Sequence, residues 1–75
     1  MLVTNKIDSR FVDSFNIAVA NVENHSVECH ESGEINWDYV ESDMIMDDTL
    51  AMFSVGEIVD ALYLLADIYD GKVAA

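Results

Sequence analysis

The chain has 75 residues, of which 15 are acidic and only 3 are lysine or arginine, so its formal net charge at pH 7 is −12. Because 52% of the residues are hydrophobic, a packed core is possible, and the class of weakly hydrophobic disordered chains is excluded. The charge disfavours direct binding to nucleic acid or to an anionic membrane, since both carry charge of the same sign. The length predicts one acidic domain, residues 1–75, with little room for a deep substrate cleft.

The first predicted element is a helix from Ile7 to Val22. Apolar residues recur there at intervals of three and four, which is the period of one helix face, and Thr4 or Asn5 is available to cap the start. Apolar and polar residues also alternate over residues 15–19, as they would in a strand. We prefer the helix. For residues 15–30 the choice between helix and strand stays open, and the alternative fold is α+β with a hairpin in the N-terminal half.

A loop, a helix and a short helix are predicted next. Residues 23–34 have little periodicity, which indicates a loop. From Ile35 to Met46 the apolar residues return at helical spacing and predict a helix of about three turns. Beyond it, Asp48 or Thr49 is suited to cap a short helix over residues 50–53.

The last helix has the clearest start and stop signals. Ser54 and Glu57 match the capping-box pattern, in which each side chain accepts a backbone N–H of the other residue. Nothing interrupts the helix from Ile58 to Tyr69, and Gly71 is placed to end it. We therefore predict an all-α fold, a compact helical domain of three main helices and one short helix.

This last helix is apolar on most of its surface. Such a helix is either the centre of the core or an interface for a second copy or another protein. Three apolar side chains fall outside its main stripe: Val59, Tyr63 and Leu64. We single these out as a possible homodimer or partner interface.

The distribution of charge is the strongest functional signal. No lysine or arginine lies between Phe11 and Gly71, whereas every acidic residue except Asp8 does. Residues three or four apart on a helix are neighbours, so several of these carboxylates are expected to form a row of negative charge. The predicted partner-binding residues are Glu34, Asp38, Glu41, Asp43, Asp47 and Asp48, with Tyr39 as an aromatic anchor.

A surface of this kind imitates the charge of nucleic acid and would be attracted to a basic nucleic-acid-binding groove. In its small size and acidic character, the chain is similar to the inhibitors that phages encode against restriction, CRISPR and repair enzymes. We therefore expect a non-enzymatic DNA mimic whose partner is a basic nucleic-acid-binding protein of the host. The alternative is a small adaptor or antitoxin-like module that binds protein through the apolar C-terminal helix.

The soft metal ligands of the chain are His25, Cys29 and His30, and they lack the paired spacing of zinc sites. We expect no metal and no cofactor, and the role of these three residues stays open.

A single cysteine allows no intrachain disulfide, and the longest apolar run, Ala61–Ala66, is far shorter than a membrane-spanning helix. The N-terminal sequence has no apolar stretch of signal-peptide length. We expect a cytoplasmic protein, in the host cytoplasm if a phage encodes it.

Overall fold

The fold is all-α. The computed structural model describes residues 2–24 and 35–74, with three α-helices and one 3₁₀ turn in the order α1 (Ser9–Asn24), α2 (Trp37–Ile45), the 3₁₀ turn (Asp48–Leu50) and α3 (Val55–Tyr69). The prediction of three main helices and a short one is confirmed. Residues 15–24 are helical, so the α+β alternative is wrong for this segment, and residues 25–30 lie outside the described residues. None of the helices in the described part of the chain is long and apolar enough to cross a membrane.

Helix α1 begins two residues later than predicted because Asp8 caps it. The Asp8 carbonyl accepts a hydrogen bond from the Phe11 backbone N–H at 3.0 Å. Its carboxylate accepts the backbone N–H of Arg10 at 2.9 Å. The carbonyl also accepts the Val12 N–H at 3.3 Å, so Asp8 satisfies three N–H groups of the first turn and is the cap. Neither Thr4 nor Asn5 has the predicted capping role.

Short polar side chains also begin the next two elements. The Asn36 side chain accepts the Asp38 backbone N–H at 3.1 Å and opens α2. The Asp47 carboxylate accepts the Thr49 backbone N–H at 2.9 Å and opens the 3₁₀ turn, so neither Asp48 nor Thr49 is the cap. The turn covers residues 48–50 and thus begins two residues before the predicted range 50–53. Both contacts satisfy backbone donors that a helix start leaves without an internal partner.

Both ends of α3 are formed as predicted. The Glu57 backbone N–H donates to Ser54 Oγ, the Ser54 backbone N–H donates to Glu57 Oε1, and both distances are 3.2 Å. At the other end Gly71 has a φ of 78°, in the left-handed region. Its N–H donates to the Ile68 carbonyl at 3.1 Å, and the next N–H donates to the Asp67 carbonyl at 2.8 Å. These two bonds form a Schellman motif.

The three helices enclose one apolar core. Phe15 of α1 is fully buried, and its ring stacks on Trp37 with centroids 5.8 Å apart. Tyr69 of α3 lies edge-on to both rings, 6.3 Å from Phe15 and 5.6 Å from Trp37. The other fully buried large side chains are Val22, Val40, Met44, Leu50, Leu62 and Leu65. Burying a side chain of this size stabilises the folded state by about 1.5–3 kcal/mol relative to leaving it exposed.

A glycine lies near each end of α3, and replacing each by alanine tests the assigned ends of the helix. Gly71→Ala should lower the free energy of unfolding by about 1–2 kcal/mol, because alanine is strained at a left-handed φ. Gly56→Ala should raise it by about 0.5–1 kcal/mol, since glycine disfavours helix and an added Cβ meets only Ser54 Oγ at 3.9 Å. Urea unfolding of both variants measures these changes. Changes of the same sign would contradict the assigned end of α3.

Candidate functional site

The described part of the predicted acidic surface is mostly exposed. Asp38, Asp43 and Asp48 have exposed side chains, whereas Glu41 and Asp47 are half-buried. Glu34 lies outside the described residues. The acidic side chains are thus displayed by α2 and by the 3₁₀ turn that follows it.

On α2 the carboxylates lie on two flanks of the exposed face. An α-helix advances about 100° per residue, which places Asp38 and Glu41 on neighbouring positions of one flank. Asp43 lies on the other flank, one turn beyond Tyr39. Tyr39 is 43% exposed and lies between the flanks. A partner that contacts α2 therefore meets an aromatic ring bordered by negative charge on both sides.

Asp47 is held by the fold. Its Oδ2 accepts a hydrogen bond from the hydroxyl of buried Ser14 at 2.7 Å. Its Oδ1 accepts the backbone N–H of Thr49 at 2.9 Å and the Thr49 hydroxyl at 2.7 Å. These bonds, the one from Ser14 foremost, lower the pKa of Asp47 from its ordinary value. Asp47 is consequently a fixed, ionised group that joins the 3₁₀ turn to α1.

The basic residues do not neutralise this surface. Within residues 2–24 and 35–74 the one ion pair joins Arg10 to Asp8, with Nη2 2.7 Å from Oδ2. The hydrogen bonds from Arg10 lower the pKa of Asp8 to about 2. The Arg10 guanidinium also lies over the Phe53 ring, and Lys6 Nζ donates to the Ala74 carbonyl at 2.7 Å. Two of the three basic side chains are therefore engaged away from α2.

The predicted interface on α3 is divided by charge. Tyr63 is 55% exposed and Leu64 is 38% exposed, whereas Val59 is half-buried beside Tyr63. Around the helix, Asp60 and Asp67 fall between Tyr63 and Leu64. The broad apolar stripe of α3 faces the core. The three predicted residues therefore form two small apolar spots separated by carboxylates.

A groove between α1 and the C-terminal end of α2 brings two predicted carboxylates together with apolar residues that the sequence did not single out. We call this space, of about 240 Å³, the α1–α2 groove. Ile17 is 61% exposed and Met46 is 80% exposed at its walls. The remaining lining residues are Ser14, Ala18, Asn21, Asp43 and Asp47. The signal in the sequence was that Ile17 falls outside the apolar stripe of α1, which marks it as an apolar residue on a polar face.

A second groove of about 500 Å³ lies on the other side of Ile17. Its walls include Leu2, Ile68 and Tyr69, and the Tyr69 hydroxyl donates to the Glu23 carboxylate at 2.8 Å. The Leu2 backbone is held by two hydrogen bonds to the Asn16 side chain, at 3.0 and 2.9 Å. This groove is mainly apolar and shares Ile17 with the α1–α2 groove.

No metal site is formed by the described residues, since no group of three or more His, Cys, Asp or Glu side chains there could hold an ion. The weak metal-ligand candidates His25, Cys29 and His30 lie outside the described residues.

The Ser14–Asp47 contact predicts a pH dependence. Its contribution to stability is complete above the unfolded pKa of about 3.9 and is lost as the pH falls through the lowered folded pKa. Ser14→Ala should therefore destabilise the protein at pH 7 by about 1.5–3 kcal/mol, the worth of a hydrogen bond to a charged group. The difference from the unsubstituted protein should shrink below about pH 4. Urea unfolding across this pH range measures it.

Ser42→Ala is the matched control, because Ser42 is an exposed serine of α2. Its effect on the free energy of unfolding should be small and independent of pH. A Ser14→Ala effect that stayed constant from neutral pH to acid would show that Asp47 is not stabilised as the ionised form.

Similarity to known proteins assigns no role to this surface. The chain matches no protein-family model, no curated protein and no solved structure. Its function is therefore inferred from the chemistry and the placement of its side chains.

Proposed function

We propose that the protein is a small non-enzymatic inhibitor that mimics the charge of nucleic acid. It binds the basic nucleic-acid-binding surface of a DNA-processing or defence enzyme, of the restriction, CRISPR or repair class, and excludes nucleic acid sterically. The observation that carries the proposal is the set of exposed carboxylates that no lysine or arginine of the described residues neutralises. Its exposed members on α2, the 3₁₀ turn and α3 are Asp38, Asp43, Asp48 and Asp60.

The spacing of these charges supports mimicry. Residues such as Asp38 and Glu41, three apart on a helix, have Cβ atoms about 5–6 Å apart. Each strand of B-DNA presents one phosphate charge per about 3.4 Å of axis, which is a spacing of the same order. A groove lined with lysine and arginine for phosphate binding can pair with carboxylates at such intervals.

The way the carboxylates are held also supports the proposal. They project from helices that pack on a single core, so little conformational entropy is lost when a partner binds them. Opposite charge speeds the encounter of the two proteins, and release of counterions favours the complex at low salt. Binding is therefore expected to weaken as salt rises. The inhibitor is consumed stoichiometrically, because it occupies the site and carries out no reaction.

A second candidate is a small adaptor or antitoxin-like module that binds protein through α3. The observation in its favour is the exposure of Tyr63 and Leu64 in a helix that is otherwise mostly buried or charged. In that case Tyr63→Asp or Leu64→Asp should abolish binding, and neutralising carboxylates on α2 should have little effect.

Competition for a labelled duplex oligonucleotide tests the proposal. Restriction, CRISPR and repair enzymes with basic nucleic-acid-binding surfaces are loaded with the oligonucleotide. Release of the oligonucleotide is followed by fluorescence anisotropy as the protein is added. We expect displacement from at least one enzyme of these classes. A triple variant with Asp38→Asn, Asp43→Asn and Asp48→Asn should displace the oligonucleotide at least about tenfold less well, equivalent to about 1.4 kcal/mol.

The matched control has the same net charge but different placement. It carries Asp13→Asn, Asp67→Asn and Asp70→Asn, and it should lose much less activity than the first triple variant. Equal losses would mean that net charge alone is responsible. Failure of the unsubstituted protein to displace the oligonucleotide at low salt from any enzyme tested would overturn the proposal.

A further inference from the structure

The α1–α2 groove combines exposed apolar side chains with carboxylates in one small space. Ile17 and Met46 are among the most exposed large apolar side chains of the described chain, and they face the same groove. Asp43 and Asp47 line it as well. Its volume of about 240 Å³ is below the roughly 300–1,000 Å³ of sites for drug-sized ligands, so it suits a single long side chain.

We propose that this groove binds an arginine side chain presented by a basic protein segment. The aliphatic stem lies against Ile17 and Met46, and the guanidinium meets the carboxylates of Asp43 and Asp47. This proposal rests on the proposed function, because it names the group through which the basic partner is recognised.

The apolar walls favour a side chain that has a hydrophobic stem. Arginine buries its three methylene groups along apolar surface while its charged head stays polar. Met46 is flexible and polarisable, so it can adjust to the stem, and Ile17 provides a fixed opposite wall on α1. A purely acidic or neutral polar segment would leave both residues exposed.

The carboxylates favour a guanidinium at the head. Three hydrogen bonds from Ser14 and Thr49 fill three of the roughly four acceptor positions of the Asp47 carboxylate, and the remaining one is on Oδ2. The Asp43 side chain is exposed and has no hydrogen-bond or ion-pair partner among the described residues. A planar guanidinium has five N–H donors and can bond two carboxylates at once, whereas a lysine ammonium is a compact, strongly hydrated point charge.

Charge argues against a second copy as the occupant. Another molecule of this chain also carries a net charge of −12, so bringing its acidic surface to Asp43 and Asp47 would be repulsive. A basic partner gains from the same two carboxylates. The groove is therefore complementary to a segment of opposite charge.

Methyl NMR tests the assignment. The Ile17 and Met46 methyl signals are followed while the protein is titrated with a blocked Gly-Arg-Gly peptide, with Gly-Lys-Gly, and with the neutral isostere Gly-citrulline-Gly. We expect saturable shifts of both methyls with the arginine peptide, weaker binding of the lysine peptide and no shift with citrulline. Asp43→Asn should weaken arginine binding about fivefold, the upper range of an exposed ion pair.

Ile17→Ser should also weaken binding, and it should still fold because Ile17 is mostly exposed. The controls are Met52→Gln and Asp60→Asn, which alter an exposed methionine and an exposed carboxylate outside the groove and should leave the affinity unchanged. Circular dichroism confirms that each variant is folded before it is titrated.

The outcomes separate this inference from the proposed function. Equal shifts with arginine and citrulline, or shifts confined to residues outside the groove, would overturn the groove assignment even if the protein displaces nucleic acid. Methyl shifts caused by raising the concentration of the protein alone would make a second copy the occupant and also overturn it. Arginine binding in the groove without displacement from any enzyme would support the groove and contradict the proposed function.

Discussion

The packing of three helices around Phe15 has to hold together a chain whose surface carries a net charge of −12. Phe15 contacts Trp37 and Tyr69, so one ring joins α1, the start of α2 and the end of α3. The core has few polar members in the described chain, and its buried Ser14 is paired with Asp47. Like-charge repulsion is therefore confined to the surface, where water and salt weaken it.

Part of the acidic charge stabilises the fold directly. Asp8, Asp47 and Glu57 lie at the starts of α1, the 3₁₀ turn and α3, and each accepts at least one backbone N–H. A negative side chain at a helix N-terminus also interacts favourably with the helix dipole. Asp8 and Glu57 thus serve the fold, and Asp47 keeps only one acceptor position for a partner. The other charges available to a partner are the exposed carboxylates of α2, the 3₁₀ turn and α3.

The parts of the fold that depend on local sequence were predictable. Ser54 and Glu57 begin α3 and Gly71 ends it through hydrogen bonds that span three to five residues, so the local pattern identifies both ends. The helical period likewise revealed α1 and α2. Each of these helices begins two residues after the predicted start, because Asp8 caps α1 and Asn36 caps α2.

The features that depend on tertiary packing were not predictable. Ser14 and Asp47 are 33 positions apart in the chain, and only the approach of α1 to the 3₁₀ turn makes their hydrogen bond possible. Packing also decides which carboxylates of the predicted surface are exposed, since Glu41 and Asp47 are half-buried whereas Asp43 is exposed. The exposure of Ile17 beside Met46 depends in the same way on which faces the helices bury.

The claim that the acidic surface is not neutralised by the chain's own basic residues is tested most directly by the salt dependence of the free energy of unfolding at pH 7. Urea unfolding is compared at low ionic strength and at about 0.15 M sodium chloride, where the Debye length is about 8 Å. If the exposed carboxylates lack cationic partners, screening reduces their repulsion, and the free energy of unfolding rises with salt. A free energy of unfolding that fell with salt would mean that the carboxylates are paired. It would contradict the claim that the acidic surface is available to bind a basic partner.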